Sequence, residues 1–439
     1  MRILHLSTSD SNGGAARAAF RLHTGLKRLG HDSSMLVLRA GSKDPAVARF
    51  EPAPGVVSRL GRSIRARRIN RDHRQYQPKR PPGLELFNDD RSPIAGELAD
   101  QLPACDLINL HWVAEYVDHE HFFPRLPKDV PVVWRLADMA PLTGGCHYTH
   151  GCDKFTARCG ACPQLGSNDD NDLSRQIWRR KSRSLASLAP AQLHLVGTSK
   201  WIAAESRRSS LLEQFPVSVI PNGLDTADFA PRDRGFSRDL WNIARDAKVI
   251  LFIADSLENQ RKGFGYLVKA LAALEAVNKP FLVSLGNLKS RLELPVPHLN
   301  LGRINNDRLL SMVYSLADVF VMPSLQESFG QTVTESLACG TPVVAFDGSG
   351  PTDMVRPGVT GWLATCGDEH ALRRSIIEAL SNDAMRAKMS ENCRRIAVEE
   401  YSLETQAAAY ARLYERLIAD LRRPAQQQNL AASAAVVTN

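Results

Sequence analysis

The pattern of apolar and polar positions at the start of the chain predicts a strand, a glycine-containing loop, a helix and a second strand. The strands correspond to the apolar runs 3–7 and 35–38, and the loop contains Gly13 and Gly14. Between them, a predicted helix that ends at Gly30 carries on one face Ala15, Ala19, Leu22, Leu26 and Leu29. This succession is the building unit of a parallel, doubly wound sheet.

The same alternation continues and then restarts in the second half of the chain. Further strands of the first half are predicted at 107–110, 132–134 and 193–196, and strands of the second half at 249–253, 281–285, 319–322 and 343–346. Turn-forming residues between Pro221 and Asp233 separate the two runs. We therefore predict an α/β protein with two doubly wound parallel-sheet (Rossmann-like) domains that face each other across a cleft.

This organisation divides the chain into four predicted segments. Residues 1–220 form the first domain, residues 221–400 form the second, and residues 401–420 form a helix that packs back on the first domain. The stretch 424–439 is rich in Gln, Ala and Ser, and we predict that it is a disordered tail.

The composition restricts the class of protein. With 439 residues, of which 44% are hydrophobic and 23% charged, the chain is long enough for two cores and too apolar for wholesale disorder. No apolar run approaches the about 20 residues of a membrane span, and the first residues lack the apolar segment of a signal peptide. The 8 cysteines are too few for a secreted disulfide scaffold. These features favour a cytoplasmic enzyme.

The net charge of +8 is concentrated in one segment. Between Arg59 and Arg80, with Asp72 as its only acid, this segment carries Arg59, Arg62, Arg65, Arg67, Arg68, Arg71, Arg74, Lys79 and Arg80. Apolar residues recur beside these cations at near-helical spacing, which favours contact with an anionic membrane surface or a phosphate-bearing acceptor. A solvated helix face is the alternative. Nucleic acid is disfavoured as a partner because Tyr76 is the only aromatic residue nearby.

The segment 323–342 is the most informative part of the sequence. It lies between two predicted buried strands, so its first part forms a loop at the carboxyl end of a strand, where ligands of open α/β sheets bind. Gly330 permits close backbone approach, and the helix that begins near it directs free N–H groups towards an anion. Glu327 and Glu335, with seven residues between them, suit hydrogen bonds to sugar and ribose hydroxyls. The alternative is that both are surface charges.

The ordered string Pro-Ser, two acids, Gly, Cys-Gly and Thr-Pro in this segment resembles the E-x7-E signature of the family 4 retaining glycosyltransferases of the GT-B fold. The segments 301–303, 316–322 and 348–362 resemble the parts of that family that precede and follow the signature. The segments 143–148 and 159–163 are similar to the branch that builds extracellular polysaccharides, including colanic acid enzymes.

The resemblance implies a role for each residue of a donor site. Glu335 would bind the donor ribose, Glu327 the transferred sugar, and Lys262 the diphosphate, because an ammonium group stabilises the charge that develops on the leaving group. The alternative for Lys262 is a solvated loop lysine. The arginine that usually precedes this lysine is absent at 254–256, and Arg261 is expected to replace it. The implied donor-binding set is Gly13, Gly14, Arg261, Lys262, Gly302, Arg303, Phe329, Gly330 and Glu335.

The acceptor side of the cleft departs from the family pattern. Relatives commonly carry a His-Asp pair where this chain has Ala137-Asp138. Three interpretations stay open: Asp138 takes the role of the missing histidine, His111 takes it, or transfer is weak. The implied catalytic residues are therefore Glu327, Asp138 and His111. A front-face retaining mechanism tolerates the loss, since the leaving phosphate can accept the proton of the acceptor.

Cys146, Cys152, Cys159 and Cys162 fall within seventeen residues. They form either a structural zinc site or a cluster of reduced buried thiols, and thiols are favoured because only Cys159 and Cys162 have standard knuckle spacing. The donor-site segments contain no Asp-x-Asp motif, so we expect no metal ion there. No cofactor is expected beyond the nucleotide-sugar, which is a substrate.

The resemblance implies a glycosyltransferase that moves a sugar from a nucleotide-diphospho-sugar to a hydroxyl of a lipid-linked oligosaccharide acceptor in surface polysaccharide biosynthesis. It implies a cytoplasmic protein, peripheral at the inner face of the cytoplasmic membrane. Two alternatives remain open at this point: a nucleotide-sugar epimerase of the same fold, and a non-catalytic scaffold that binds nucleotide-sugars.

Overall fold

Two parallel sheets form the centre of the protein. The computed structural model describes residues 1–274, 277–287 and 293–437, with side chains up to residue 421. The strands of the first sheet are β1 (Arg2–Ser9), β2 (Asp32–Arg39), β3 (Val47–Arg49), β4 (Leu107–Leu110), β5 (Val132–Leu136), β6 (Leu193–Gly197) and β7 (Val217–Val219). Their order is β3-β2-β1-β4-β5-β6-β7, and each neighbouring pair is parallel.

The second sheet repeats this topology. Its strands are β8 (Lys248–Ser256), β9 (Pro280–Asn287), β10 (His298–Asn300), β11 (Val319–Met322), β12 (Val343–Phe346) and β13 (Gly361–Ala364). Their order is β10-β9-β8-β11-β12-β13, again with parallel neighbours. In both sheets the strand order reverses direction beside the first strand, which opens a crevice at the carboxyl ends of the strands.

Helices connect the strands and cover both faces of each sheet. Those of the first half are α1 (Gly14–Arg28), α2 (Val56–Arg74), α3 (His119–Phe122), α4 (Leu173–Leu185) and α5 (Lys200–Arg208). The second half contains α6 (Arg234–Leu240), α7 (Phe264–Leu271), α8 (Asp307–Leu316), α9 (Gln331–Ala338), α10 (Glu369–Ser381), α11 (Asp383–Tyr401) and α12 (Leu403–Val437). The predicted α/β fold with two Rossmann-like domains is confirmed.

The chain crosses between the two domains twice, and the two crossings lie side by side. The N–H of Leu224, in the first crossing, donates to the carbonyl of Tyr401 at 3.0 Å, and the N–H of Leu403 donates back to the carbonyl of Leu224 at 3.0 Å. Helix α12 then lies against α1, where Tyr410 and Tyr414 join the buried cluster around Leu22 and Leu26. The two crossings therefore form one compact hinge.

The backbone of α12 continues to Val437 and includes most of the stretch 424–439, for which the sequence predicts a disordered tail. The side chains of that stretch lie outside the described part of the chain, as do residues 438 and 439, so the tail stays a prediction. Within the described residues, no helix is both long enough and apolar enough to span a bilayer.

Short strands are the elements that the sequence pattern does not reveal. β3, β7 and β10 have 3 residues each, and their residues are partly or fully exposed. A strand of this length shows no alternation, and its place in the sheet depends on the neighbouring strand with which it pairs.

Candidate active site

A cavity of about 280 Å³ lies between the two domains at the carboxyl ends of β1, β8, β9 and β11. The first domain contributes the loop 11–14 and Arg17. The second domain contributes, among others, Asp255, Lys262, Gly302, Arg303, Glu327, Gly330, Gln331 and Glu335. The structure thus brings most of the predicted donor-binding residues together, from both domains, around one cavity.

Lys262 is placed in this cavity by a short turn after β8. A 3-10 turn, Gln260–Lys262, ends at Gly263, whose φ of +75° is unfavourable for other residues. A Cβ atom on Gly263 would lie 1.8 Å from the carbonyl oxygen of Pro323. Glycine therefore allows the turn to contact the end of β11, and Lys262 Nζ reaches Glu327 Oε2 at 2.6 Å.

Glu327 is an ionised carboxylate held between two cations. Its Oε2 accepts hydrogen bonds from Lys262 and, at 3.1 Å, from Arg261 Nη1, and its Oε1 accepts one from the Tyr148 hydroxyl at 3.3 Å. Burial by itself would raise the pKa of Glu327, but the two cations outweigh that effect and lower it to about 2. At neutral pH this side chain can only accept hydrogen bonds.

Arg261 joins the two domains from behind the cavity. Its guanidinium carbon lies 4.0 Å from the centre of the Tyr148 ring, and its Nε forms an ion pair with Glu85 of the first domain. Its Nη1 also donates to the carbonyl of Gln326 at 2.6 Å. Arg261 is 6% exposed and does not line the cavity. The prediction that it replaces the usual phosphate-binding arginine is therefore not supported by its placement.

Glu335 lies on α9, which begins directly after Gly330. Gly330 has a φ of +95°, a left-handed conformation that turns the loop into the helix. Glu335 Oε2 accepts a hydrogen bond from the Tyr314 hydroxyl at 3.1 Å, and Oε1 accepts one from Arg21 of the first domain at 3.2 Å. The carboxylate is 5% exposed and borders the cavity.

Two arginines of α1 were not among the predicted site residues. Arg17 lines the cavity and forms an ion pair with Asp307 of α8, and Arg21 contacts Gln331 Oε1 at 3.2 Å as well as Glu335. They lie four residues apart and one turn after the glycine loop, on the same helix face. That spacing is visible in the sequence, but the acids that face them come from the other domain.

On the first-domain side, the loop after β5 contacts the segment that carries Glu327. The Ser328 hydroxyl donates to the carbonyl of Ala137 at 2.6 Å. Asp138 lies 3.1 Å from His147 Nδ1 and accepts a hydrogen bond from the N–H of Ala140 at 2.8 Å. Burial opposes ionisation of Asp138, but His147 and these hydrogen bonds lower its pKa. Asp138 is thus held as a carboxylate beside Ala137.

A comparison of the sequence with known protein families finds a match in the second half of the chain. The family model described as glycosyl transferases group 1 matches residues 233–396. This region of the chain is therefore similar to a glycosyl transferases group 1 domain. The matched region contains Lys262, Glu327 and Glu335, whereas the glycine loop and Asp138 lie outside it, in the first domain.

Curated relatives match part of the chain. The lipopolysaccharide core biosynthesis glycosyltransferase LpsE of Rhizobium meliloti (strain 1021) is 31% identical over 203 residues, which is 45% of this chain and 57% of the relative. A phosphatidyl-myo-inositol mannosyltransferase of Mycobacterium leprae (strain TN) is 31% identical over 206 residues, 45% of this chain and 52% of the relative. The chain thus spans about half the length of these curated relatives.

Solved structures match almost the whole chain. HepE of Anabaena, crystallised in complex with UDP and glucose, superimposes with a TM-score of 0.62 over 95% of this chain and 100% of HepE, at 17% sequence identity. This similarity confirms the GT-B fold that the sequence resemblance implied, including the first domain, which the group 1 family model does not match.

The structure places two predicted site residues in the core instead. His111 is 1% exposed, its Nε2 lies 2.8 Å from His5 Nδ1, and its Nδ1 accepts a hydrogen bond from Arg135 Nε at 3.0 Å. Burial and the Arg135 guanidinium hold the pKa of His111 well below its ordinary value, so the ring is neutral. Phe329 is 2% exposed and packs in the core of the second domain. Neither side chain is available to a ligand in the cavity.

The four clustered cysteines line one small cavity of about 20 Å³ in the first domain, next to Phe87. All four are free thiols, and burial raises the pKa of Cys159 and of Cys162 to about 11. In the part of the chain that the structure describes, no group of three or more His, Cys, Asp or Glu side chains is arranged to hold a metal ion. Three of these thiols are buried and Cys152 is half-buried, and the preference for thiols over zinc stays a prediction.

Proposed function

We propose that the protein is a glycosyltransferase that moves a sugar from a nucleotide-diphospho-sugar to an acceptor hydroxyl with retention of the anomeric configuration. The observation that carries this proposal is the convergence of Lys262, Glu327 and Glu335 with the glycine loop on one cavity between the domains. The relatives, a lipopolysaccharide core biosynthesis glycosyltransferase and a phosphatidyl-myo-inositol mannosyltransferase, support the same class of reaction.

In this proposal the donor bridges the two domains. Lys262 and the N–H groups at the start of α9 face the diphosphate, whose negative charge grows as the glycosidic bond breaks, so they stabilise the transition state more than the ground state. Glu335 accepts hydrogen bonds from the ribose hydroxyls, and the backbone at Gly302 and Arg303 faces the base. The UDP bound to HepE supports a nucleotide in this cleft. Because Lys262 and these N–H groups supply positive charge, we propose that the reaction needs no metal ion on the diphosphate.

Glu327 then binds the hydroxyls of the transferred sugar. Because its pKa is about 2, it is a poor general acid and a poor general base at neutral pH. The proton of the acceptor hydroxyl is therefore taken by the leaving phosphate oxygen on the same face of the sugar, as the new glycosidic bond forms and the bond to phosphate breaks. Asp138, held by His147, does not line this cavity but a smaller one of about 30 Å³ next to Ala137, and there it orients the acceptor.

A donor screen tests the proposal. Thermal shift with UDP-, GDP-, ADP- and TDP-sugars should identify one donor, and that donor should be hydrolysed or transferred, with unchanged rates in EDTA. Glu335→Ala should abolish turnover, whereas Glu399→Ala, which removes an exposed glutamate that pairs with Arg395, should not. Tight donor binding without turnover would instead indicate a scaffold, and interconversion of the donor sugar would indicate an epimerase.

For the acceptor, we propose a lipid-linked oligosaccharide of surface polysaccharide synthesis, reached at an anionic membrane through α2. Helix α2 buries none of its residues. Four of its apolar residues are 56% to 85% exposed, and they are Val56, Val57, Leu60 and Ile64, whereas Ile69 is half-buried. Four exposed arginines continue the same surface: Arg67, Arg68, Arg71 and Arg74. An apolar stripe followed by cations matches the interface of an anionic bilayer.

Part of the basic segment has a different role. Arg62 donates to Glu97 at 3.0 Å and Arg65 to Asp118 at 2.6 Å, so both face the first domain and anchor the helix. Vesicle flotation tests the outward face. The wild type should float with vesicles that contain phosphatidylglycerol and not with phosphatidylcholine alone, and a double Leu60→Glu, Ile64→Glu variant should stay unbound. Phe236→Glu, at an exposed position of the second domain, is the control. Equal recovery with both vesicle types would reject the membrane partner.

A further inference from the structure

Arg135, on β5, is a buried cation with an unusual set of partners. It is 1% exposed. Its guanidinium donates to His111 Nδ1 at 3.0 Å, to Asn222 Oδ1 at 2.9 Å and to the carbonyl of Ala15 at 2.9 Å. All three acceptors are neutral. Among the described residues, no carboxylate forms an ion pair with Arg135, and Asp138 influences it only from a longer distance.

A buried charge without a counter-ion is costly, and such groups are concentrated at functional sites. The buried Arg238 of the second domain shows the usual arrangement, because it is paired with Asp318 at 2.9 Å. The position of Arg135 indicates that an anion bound in the cavity would supply the missing negative charge. Its partner Ala15 is the second residue of α1, directly after Gly13 and Gly14, which line the cavity.

The second partner of Arg135 lies in the hinge. Asn222 is 5% exposed and stands two residues before Leu224, which is hydrogen-bonded to the second crossing at Tyr401 and Leu403. One guanidinium therefore contacts both the first turn of α1, directly after the glycine loop, and the segment where the chain crosses between the domains. A lysine could supply the charge, but its donors share one nitrogen, whereas the planar guanidinium contacts the three acceptors through three separate nitrogens, Nε, Nη1 and Nη2.

We propose that Arg135 is a positioning residue of the donor site, which holds the glycine loop against the hinge and supplies the positive field for the anion bound at that loop. The charge reaches the ligand through the N-terminus of α1, where its field adds to that of the helix N–H groups. This inference rests on the proposed function for the identity of the anion, a nucleoside diphosphate. The connection between loop and hinge does not depend on it.

The test compares Arg135→Met, Arg135→Lys and Asn222→Ala with the control Arg238→Met, which removes an equally buried but paired arginine. With UDP as the probe, calorimetry should show affinity reduced by about 10- to 100-fold in Arg135→Met, partly recovered in Arg135→Lys, and within two-fold of wild type in the control. Hydrogen exchange of the ligand-free protein should be faster at residues 11–19 in both Arg135 variants and in Asn222→Ala.

UDP affinity of Arg135→Met within two-fold of wild type, or an equal loss in the control, would overturn the proposal. If Arg135→Met does not fold, hydrogen exchange of Asn222→Ala tests the proposal instead. This variant keeps the charge of Arg135 and removes only its contact with the hinge. If the wild type binds no UDP, the proposed function fails for that donor. In that case the exchange measurement still tests Arg135. Unchanged protection of residues 11–19 in Asn222→Ala would show that Arg135 does not hold the glycine loop against the hinge.

Discussion

Removal of the Glu327 carboxylate should destabilise the protein in a manner that depends on pH. Glu327 is 13% exposed at its side chain and is bound by Lys262 and Arg261. These cations lower its pKa from the ordinary 4.5 to about 2 in the folded protein. In Glu327→Gln the two cations keep their positions but lose the charge that compensates them.

The magnitude follows from the linkage between protonation and folding. The lowered pKa corresponds to about 3 kcal/mol of stability at neutral pH. Because the pKa is lower in the folded state, the unfolded chain binds more protons between about pH 4.5 and pH 2. The stabilisation is therefore complete above the unfolded pKa, falls to about 1 kcal/mol near pH 3, and is lost as the pH drops through the folded pKa.

Urea unfolding of the wild type and Glu327→Gln at about pH 7, 5, 4 and 3 measures this difference. The two curves should be separated by about 3 kcal/mol at pH 7 and should converge towards pH 3. Glu399→Gln, which removes an exposed ion pair with Arg395, should change the free energy of unfolding little at any of these pH values. A loss below about 1 kcal/mol at pH 7, or an equal loss at pH 7 and pH 3, would refute the electrostatic account of Glu327.

Three further substitutions have defined outcomes. Lys262→Met should lower turnover with the accepted donor by about 100-fold or more, because the leaving diphosphate loses its ammonium partner; near-normal turnover would contradict that role. Gly330→Ala should lower the free energy of unfolding by about 1–2 kcal/mol in urea titrations, because the residue has a φ of +95°, and full stability would show that the loop relaxes. Arg21→Gln should increase the radius of gyration of the ligand-free protein in small-angle scattering, since Arg21 bridges the cleft to Glu335; an unchanged radius would indicate that other contacts hold the cleft closed.

The sequence pattern was sufficient for the repeated strand–helix alternation and for the location of the cavity-lining loops. Both follow from local rules. Buried parallel strands appear as continuous apolar runs, and a loop that follows such a strand lies at the ligand-binding edge of the sheet. Glu327 and Glu335 could therefore be placed at the ligand-binding edge of the second sheet, whereas the place of Lys262 in the same site was implied by the family resemblance.

Only the tertiary structure decided which polar residues face the cavity and what neutralises them. His111 follows a strand, as a cleft residue would, yet packing places its ring against His5 and Arg135 in the core. Arg261 stands next to Lys262 in the chain but turns to Glu85 and Tyr148 of the other domain.

The same limit applies to the arginines of α1 and α2. The sequence shows their charge and helical spacing, but the carboxylates that bind Arg21, Arg62 and Arg65 lie at least 35 residues away in the chain or across the cleft. Local periodicity determines which face of an element is apolar. The partner of each charge depends on how elements distant in sequence pack together, which no short-range pattern encodes.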